Sequence, residues 1–213
     1  MSRSDLRRRV NLRGWATLLL AAALTLSASA AFAAGERLVM TPYPGAPWKR
    51  ITDKSGPQGW IHEQVPAAHA VDDYSEMLTD QAFVANRGAD PSAFLKTIYA
   101  HVGGACAGVG VSGPTPQLEG GLRVAYGQVR CGTERGQAFG VHLFYKVIAG
   151  DDALYSISWE LRVPPSSNGD LLSFPKGQEA RAAALLKTEA EADRYLADQV
   201  YLCGGRSTDE RCR

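Results

Sequence analysis

Four histidines and a scatter of carboxylates are the residues of this 213-residue chain best suited to chemistry. His62 lies in "WIHEQV", alternating with Trp60 and Gln64, and His69 follows in "AAHAVDDY" just ahead of Asp72 and Asp73. A loop folding back on its own strand would join His62, His69 and an aspartate into a His-His-Asp metal site, the basis for a small hydrolase or metal-dependent enzyme. The spacing gives neither two histidines on one helical face nor a facial triad, so surface histidines near aspartates are the plainer reading. His101 falls in the last turns of an expected helix, where a cation complements the dipole. His142 alternates away from the apolar side of a strand and is expected to be half-exposed. Glu63, Glu76 and Glu160 are candidates for a glycosidase-type carboxylate pair, whose separation only a fold can supply.

"GVGVSG", Gly108 to Gly113, has the spacing G-x-G-x-x-G. In the dinucleotide fingerprint the first glycine follows a strand and the third opens a helix whose amides bind pyrophosphate. Here Gly108 follows an expected helix, and Pro114 and Pro116 stand behind Gly113, so no helix begins there. The segment reads as a glycine-rich exit from a helix into a strand. Ser112 fails as a hydrolase nucleophile for the same reason, because Gly113-Pro114 replaces the turn into a helix. No cofactor, metal or catalytic residue is expected.

Cys106, Cys131, Cys203 and Cys212 are the four cysteines, and no pair has C-x-x-C spacing. An even number in an exported chain implies two disulfides out of three connectivities. Cys106–Cys131 with Cys203–Cys212 is the pairing that closes local loops, each worth about 3 kcal/mol in the chain-entropy model.

Export is read from residues 1–33. "MSRSDLRRRVNLRGW" is basic, "ATLLLAAALTLSASAAFA" is apolar, and Ala31-Phe32-Ala33 forms an A-x-A site, together a signal peptide. Five arginines and one aspartate belong to that segment, so the rest of the chain carries a net charge of −3 rather than the full chain's +1. A weakly acidic domain without a Lys/Arg run has no electrostatic footprint for nucleic acid. A membrane is expected only during export, and the location is periplasmic or secreted.

The elements that must position these residues follow. Residues 34–47 read as an extended arm whose prolines preclude a helix. "WKRITD" and "WIHEQV" flank a Gly-Pro turn as a hairpin, and Tyr74–Phe83 alternates as a third strand. Asp90 as N-cap and Pro91 at the first helical position start a helix. Phe94, Leu95, Ile98, Val102 and Ala105 share its face. After a Gly/Pro loop come Leu122–Cys131 and two strongly alternating strands, "AFGVHLFYKVI" and "LYSISWELRV", joined by a tight turn. A long polar loop then leads to a final helix over about 178–202. The order β-β-β-α-β-β-β-α predicts an α+β domain over 48–203, with a single antiparallel sheet of about six strands covered by two helices. Residues 204–213 form a disulfide-tied tail.

The stretches "DDYSEMLTDQAF", "YAHVGGACAGV", "VRCGTERGQ" and "LFYKVIAGDDALYSISWELRVP" together resemble a group of uncharacterised exported bacterial proteins and the broader PsbP-like class. That resemblance implies an antiparallel sheet flanked by helices and a binding or accessory role in the envelope, with a protein or another envelope component as partner. It assigns no functional residue. Loops on a rigid scaffold carry recognition, and the loop "PPSSNGDLLSFPKG" places Leu171, Leu172 and Phe174 between prolines, outside any expected element. They are candidates either for a lid on the sheet edge or for partner docking.

Overall fold

The computed structural model describes residues 35–41, 47–166 and 176–213. Leu171, Leu172 and Phe174, and the signal segment, lie outside the described residues.

Short strand β1 (Arg37–Met40) opens the described chain, and β2 (Trp48–Gly56), β3 (Gly59–Pro66) and β4 (Glu76–Phe83) follow as a meander. Helix α1 (Pro91–Ala105) starts as its sequence requires, with the Asp90 carboxylate accepting from the Ala93 amide at 2.8 Å. It crosses one face of the sheet to the far edge. There β5 (Cys106–Glu119), β6 (Leu122–Glu134), β7 (Gly140–Ala149) and β8 (Leu154–Val163) return by tight turns until β8 pairs with β4. Helix α2 (Glu179–Asp198) then runs into β9 (Val200–Cys203). The strands order β2-β3-β4-β8-β7-β6-β5, antiparallel throughout, and β1 pairs with β9 as a separate two-stranded ribbon.

The expected α+β class therefore holds, with corrections. The sheet has seven strands rather than six. The additional strand is β5, formed by the glycine-proline segment read above as a helix exit and loop. Pro114 and Pro116 donate no amide, which an edge strand tolerates because one side of its ladder has no partner. The bulge between Ser112 and Thr115 absorbs the irregularity. Gly113 sits there at φ +84°, where a Cβ would lie 2.7 Å from the Tyr126 carbonyl oxygen, so only glycine fits. "GVGVSG" is thus an edge strand behind a helix, not a phosphate loop.

Two further corrections concern the ends. Part of the arm is strand β1, and the final helix stops at Asp198 rather than near Leu202. Val200 and Leu202 face Met40 and Leu38 across the ribbon, and burying that row outweighs one more helical turn. The Cys106–Cys131 and Cys203–Cys212 disulfides both form. The second ties down the tail, which also bonds the turn after β5 through Thr208 N–H to the Gly120 carbonyl at 2.7 Å.

Both sheet faces are covered around β7, whose ten residues are all buried. On one face α1 packs Leu95 and Ile98 onto Ala125, Val129, Val141 and Val147, beside the Cys106–Cys131 bond. Gly127 lets the helix close in, since the Tyr99 hydroxyl passes over its bare Cα and donates to the Ser112 carbonyl at 2.9 Å. On the other face α2 and the ribbon bring Ala192, Tyr195, Leu196, Val200 and Leu202 onto Phe144, Ile148, Ile157 and Trp159. Trp159 is a core residue, as its strand alternation implies.

Candidate functional site

The cover on the α2 side leaves the outer strands β2, β3 and β4 partly open. Between them and the β1–β9 ribbon lies an open cleft of about 740 Å³. Strand alternation places its groups. On β3, Trp60, His62 and Gln64 share the cleft face, and the register sets them opposite Ala82, Asp80 and Leu78 of β4. On β2, Asp53 stands opposite His62, and the bulge between Arg50 and Thr52 turns Arg50 to the same side. Leu38 and Met40 form the ribbon's wall, with Trp48 and Tyr155 at the floor.

The ribbon is held over the sheet at three points. The Glu36 carboxylate accepts from the amides of Asp151 and Asp152 at 2.6 and 2.8 Å and from the Tyr155 hydroxyl at 3.2 Å. The Tyr195 hydroxyl donates to the Thr41 carbonyl at 2.9 Å. The Lys146 ammonium, wholly buried, donates to the Val200 carbonyl at 2.7 Å and to Glu119 at 2.6 Å. Burial lowers the pKa of Lys146, and its contact with Glu119 opposes that. Burial likewise raises Tyr155, reinforced by the Glu36 charge, and raises Tyr195 to about 12.

Along the cleft runs a ladder of basic and acidic side chains. Arg50 bonds Asp53 at 2.8 Å, and Asp53 lies 3.4 Å from His62 Nε2. His62 Nδ1 lies 2.9 Å from Asp80, and the imidazole stacks on Trp60 with centroids 4.7 Å apart. The hydrogen bond from Arg50 lowers the pKa of Asp53, whereas burial raises that of Asp80 against the pull of His62. Both nitrogens of His62 face carboxylates, so neither is placed to take a proton from a substrate.

The structure does not bring His62 and His69 together. His69 lines a second open cleft of about 720 Å³ with Tyr74, Phe139, Arg162 and Arg181. There its Nδ1 accepts from the Ser75 amide at 3.1 Å, and the Arg162 guanidinium stacks 3.5 Å from the Tyr74 ring and 4.3 Å from the Phe139 ring. Asp72 meets Arg162 only through its backbone carbonyl, at 3.4 Å. Among the described residues no three His, Cys, Asp or Glu side chains are placed to hold a metal. Glu63 and Glu160 point to the α1 side of the sheet and Glu76 to the other, so the three do not share a face. His101 is exposed on α1.

His142 differs most from expectation. It is wholly buried beneath α2, because a strand at the centre of a sheet covered on both sides has no solvent face. Its Nδ1 contacts Glu189 of α2, which also lies 3.5 Å from Arg130. A turn further on, Asp193 accepts from Gln128 at 3.0 Å. The ladder of Asp53 and Asp80 and the buried pair of His142 and Glu189 are missed by sequence reasoning. The alternation of Trp60, His62 and Gln64 is the one signal that pointed to the cleft.

No family model matches the chain, and no curated protein matches it. Among solved structures, LpqN, described as involved in cell envelope biogenesis of Mycobacterium tuberculosis, aligns over 79% of this chain and 84% of its own. The identity is 12% and the TM-score 0.37, and no functional argument rests on that likeness.

Proposed function

We propose that this chain is an exported binding or accessory module of the bacterial envelope, periplasmic or secreted, that recognises a protein or another envelope component. The observation that carries this reading is the cleft between the ribbon and β2–β4. It joins aliphatic and aromatic side chains to a few convergent polar groups at a volume suited to a ligand, the usual make-up of a recognition site. Two disulfides among the described residues fit an oxidising compartment. No described helix is long and apolar enough to cross a membrane. The resemblance to PsbP-like domains belongs to the same reading, as does partner docking by Leu171, Leu172 and Phe174.

A photo-crosslinking residue in place of Leu38, inside the cleft, tests it against the same residue in place of Lys187, on the outer surface of α2. Expressed in cells with its export signal intact, the protein should give a discrete adduct from position 38 and none from 187. Equal adducts at both positions, or none at 38, would remove the cleft from the proposal.

A further inference from the structure

We infer that β5 is a self-pairing edge, through which two copies of this chain join by antiparallel pairing of Val109–Ser112 about a two-fold axis. The seven-stranded sheet ends on β2 and on β5, and the two edges are finished differently. β2 carries Lys49, Arg50, Asp53 and Lys54, charges of the kind that keep an edge from pairing with another chain. β5 carries no charged side chain from Cys106 to Leu118. Three of the six large apolar residues exposed among the described ones lie on it, Val109 at 45%, Val111 at 55% and Leu118 at 76%. Apolar exposure is therefore concentrated on this edge, not scattered singly as on an ordinary surface.

The register orients the valines. Val109 stands opposite Cys131, Val111 opposite Val129 and Pro116 opposite Ala125, all on the α1 side. Pro116 has no amide to give, and an edge strand places such a residue with its nitrogen outward. β6 alternates regularly from Ala125 to Cys131, so Val109 and Val111 turn their amides and carbonyls outward as well. A neutral, apolar and unpaired edge of this kind accepts an extended chain. The second copy is the occupant that the strand itself matches. In a two-fold pairing centred on Gly110, Val109 of each copy stands opposite the partner's Val111, a β-branched pair made twice. Gly110 meets its own equivalent without a side chain, and no charge is set against its like. The contact also closes on itself, which a β5–β2 contact would not. Gly108, at φ +76°, and the bulge after Ser112 bound the paired stretch, so the ladder is short and the dimer weak. The cleft lies toward the opposite edge of each sheet and stays free.

The protein, expressed with its leader in place and purified, is followed by sedimentation over a range of concentrations. A monomer–dimer equilibrium with a Kd on the order of 10–100 µM is expected. A chain that stays monomeric at about 1 mM overturns the proposal. Val111→Lys should weaken the dimer at least about tenfold, and Val109→Glu should do the same. Leu118→Lys, on the same strand but outside the paired stretch, should leave it unchanged. Mixing the Val109→Glu chain with the Val111→Lys chain should restore a dimer, because the register sets those two positions against each other. A dimer that survives both charges, or that Leu118→Lys weakens equally, uses another surface and overturns this one. A mixture no stronger than either variant alone overturns the Gly110-centred pairing. All three positions are exposed, so each variant should keep the denaturation midpoint of the wild-type monomer.

Discussion

Under α1 the sheet buries Leu95, Ala125, Val129 and Val147 to 0% exposure; under α2 the same sheet buries His142 and Lys146 to the same 0%. One cover is thus seated by apolar contact and a disulfide, the other by hydrogen-bonded charges as well as apolar side chains. Apolar burial is strong but non-directional. A buried charge tolerates one placement of its partner, because any other leaves it unsatisfied. The difference shows in what each cover does. Helix α1 closes onto the strands it crosses, whereas α2 and the ribbon are fixed at a few points and leave a cleft beyond them. Holding that cleft open is a matter of position, which Lys146, Glu36 and Tyr195 supply.

The largest effect should come from the apolar side. Leu95→Ala removes a side chain with no exposure, at the point where α1 meets β6 and β7, and should cost about 3 kcal/mol in urea denaturation. A loss below about 1 kcal/mol would break the comparison, because the α1 side would then not be a closely packed core.

Much of this was legible in the sequence, for reasons that particular elements make plain. The Asp90-Pro91 start of α1 is local chemistry, and so is the alternation of β7 and β8. The cysteine pairing follows from loop closure. What could not be read depends on partners distant in the chain. The segment Gly108–Glu119 has the composition of a loop and becomes a strand only because β6 offers it a ladder. Val200–Cys203 continues the helical pattern of α2 but pairs with β1, whose sequence lies some 160 residues earlier. The site was half legible. Alternation put Trp60 and His62 on one face, but Asp80 joins them only through the β3–β4 register, and Leu38 only through the ribbon. His142 shows the same limit in reverse, since strand alternation says which side a residue takes and not whether that side is covered.

The second effect sharpens the polar side of the comparison. Glu189→Ala leaves buried His142 and half-buried Arg130 without their shared partner, and should cost about 2 kcal/mol. The double variant His142→Leu/Glu189→Leu replaces the pair with apolar groups and should recover most of that loss, since Arg130 can turn toward water. Amide exchange along α2 checks the meaning of the recovery. If the pair is there for placement, protection of α2 should fall in the double variant even as the midpoint returns. Equal losses in the single and double variants would mean that the site needs its charges for stability itself.

The smallest effect contrasts two carboxylates on opposite faces, Glu189 buried and Glu160 partly buried. Glu160 lies on the α1 side of β8, beyond the helix, where the Tyr74 hydroxyl donates to it at 3.3 Å and Arg162 stands 3.8 Å away. Burial raises its pKa, and the Arg162 charge and Tyr74 bond only partly oppose that. The folded chain therefore binds the Glu160 proton more tightly than the unfolded chain, whose value is about 4.3. Its contribution to stability is greatest below that unfolded value and is lost as pH rises through the higher folded one; above it the buried charge is a constant cost. Glu160→Gln keeps an acceptor for Tyr74 and removes the charge. It should raise stability at pH 7 by about 1 kcal/mol or less, with the gain vanishing near pH 4, where wild type is itself protonated. Removing the Glu189 carboxylate should thus destabilise and neutralising Glu160 stabilise, though neither is exposed, because one carboxylate seats a helix and the other does not. Denaturation midpoints of wild type and Glu160→Gln at the two pH values decide it. A loss at pH 7 would show that the Arg162 pair outweighs burial, and that the α1 side, too, depends on a charge.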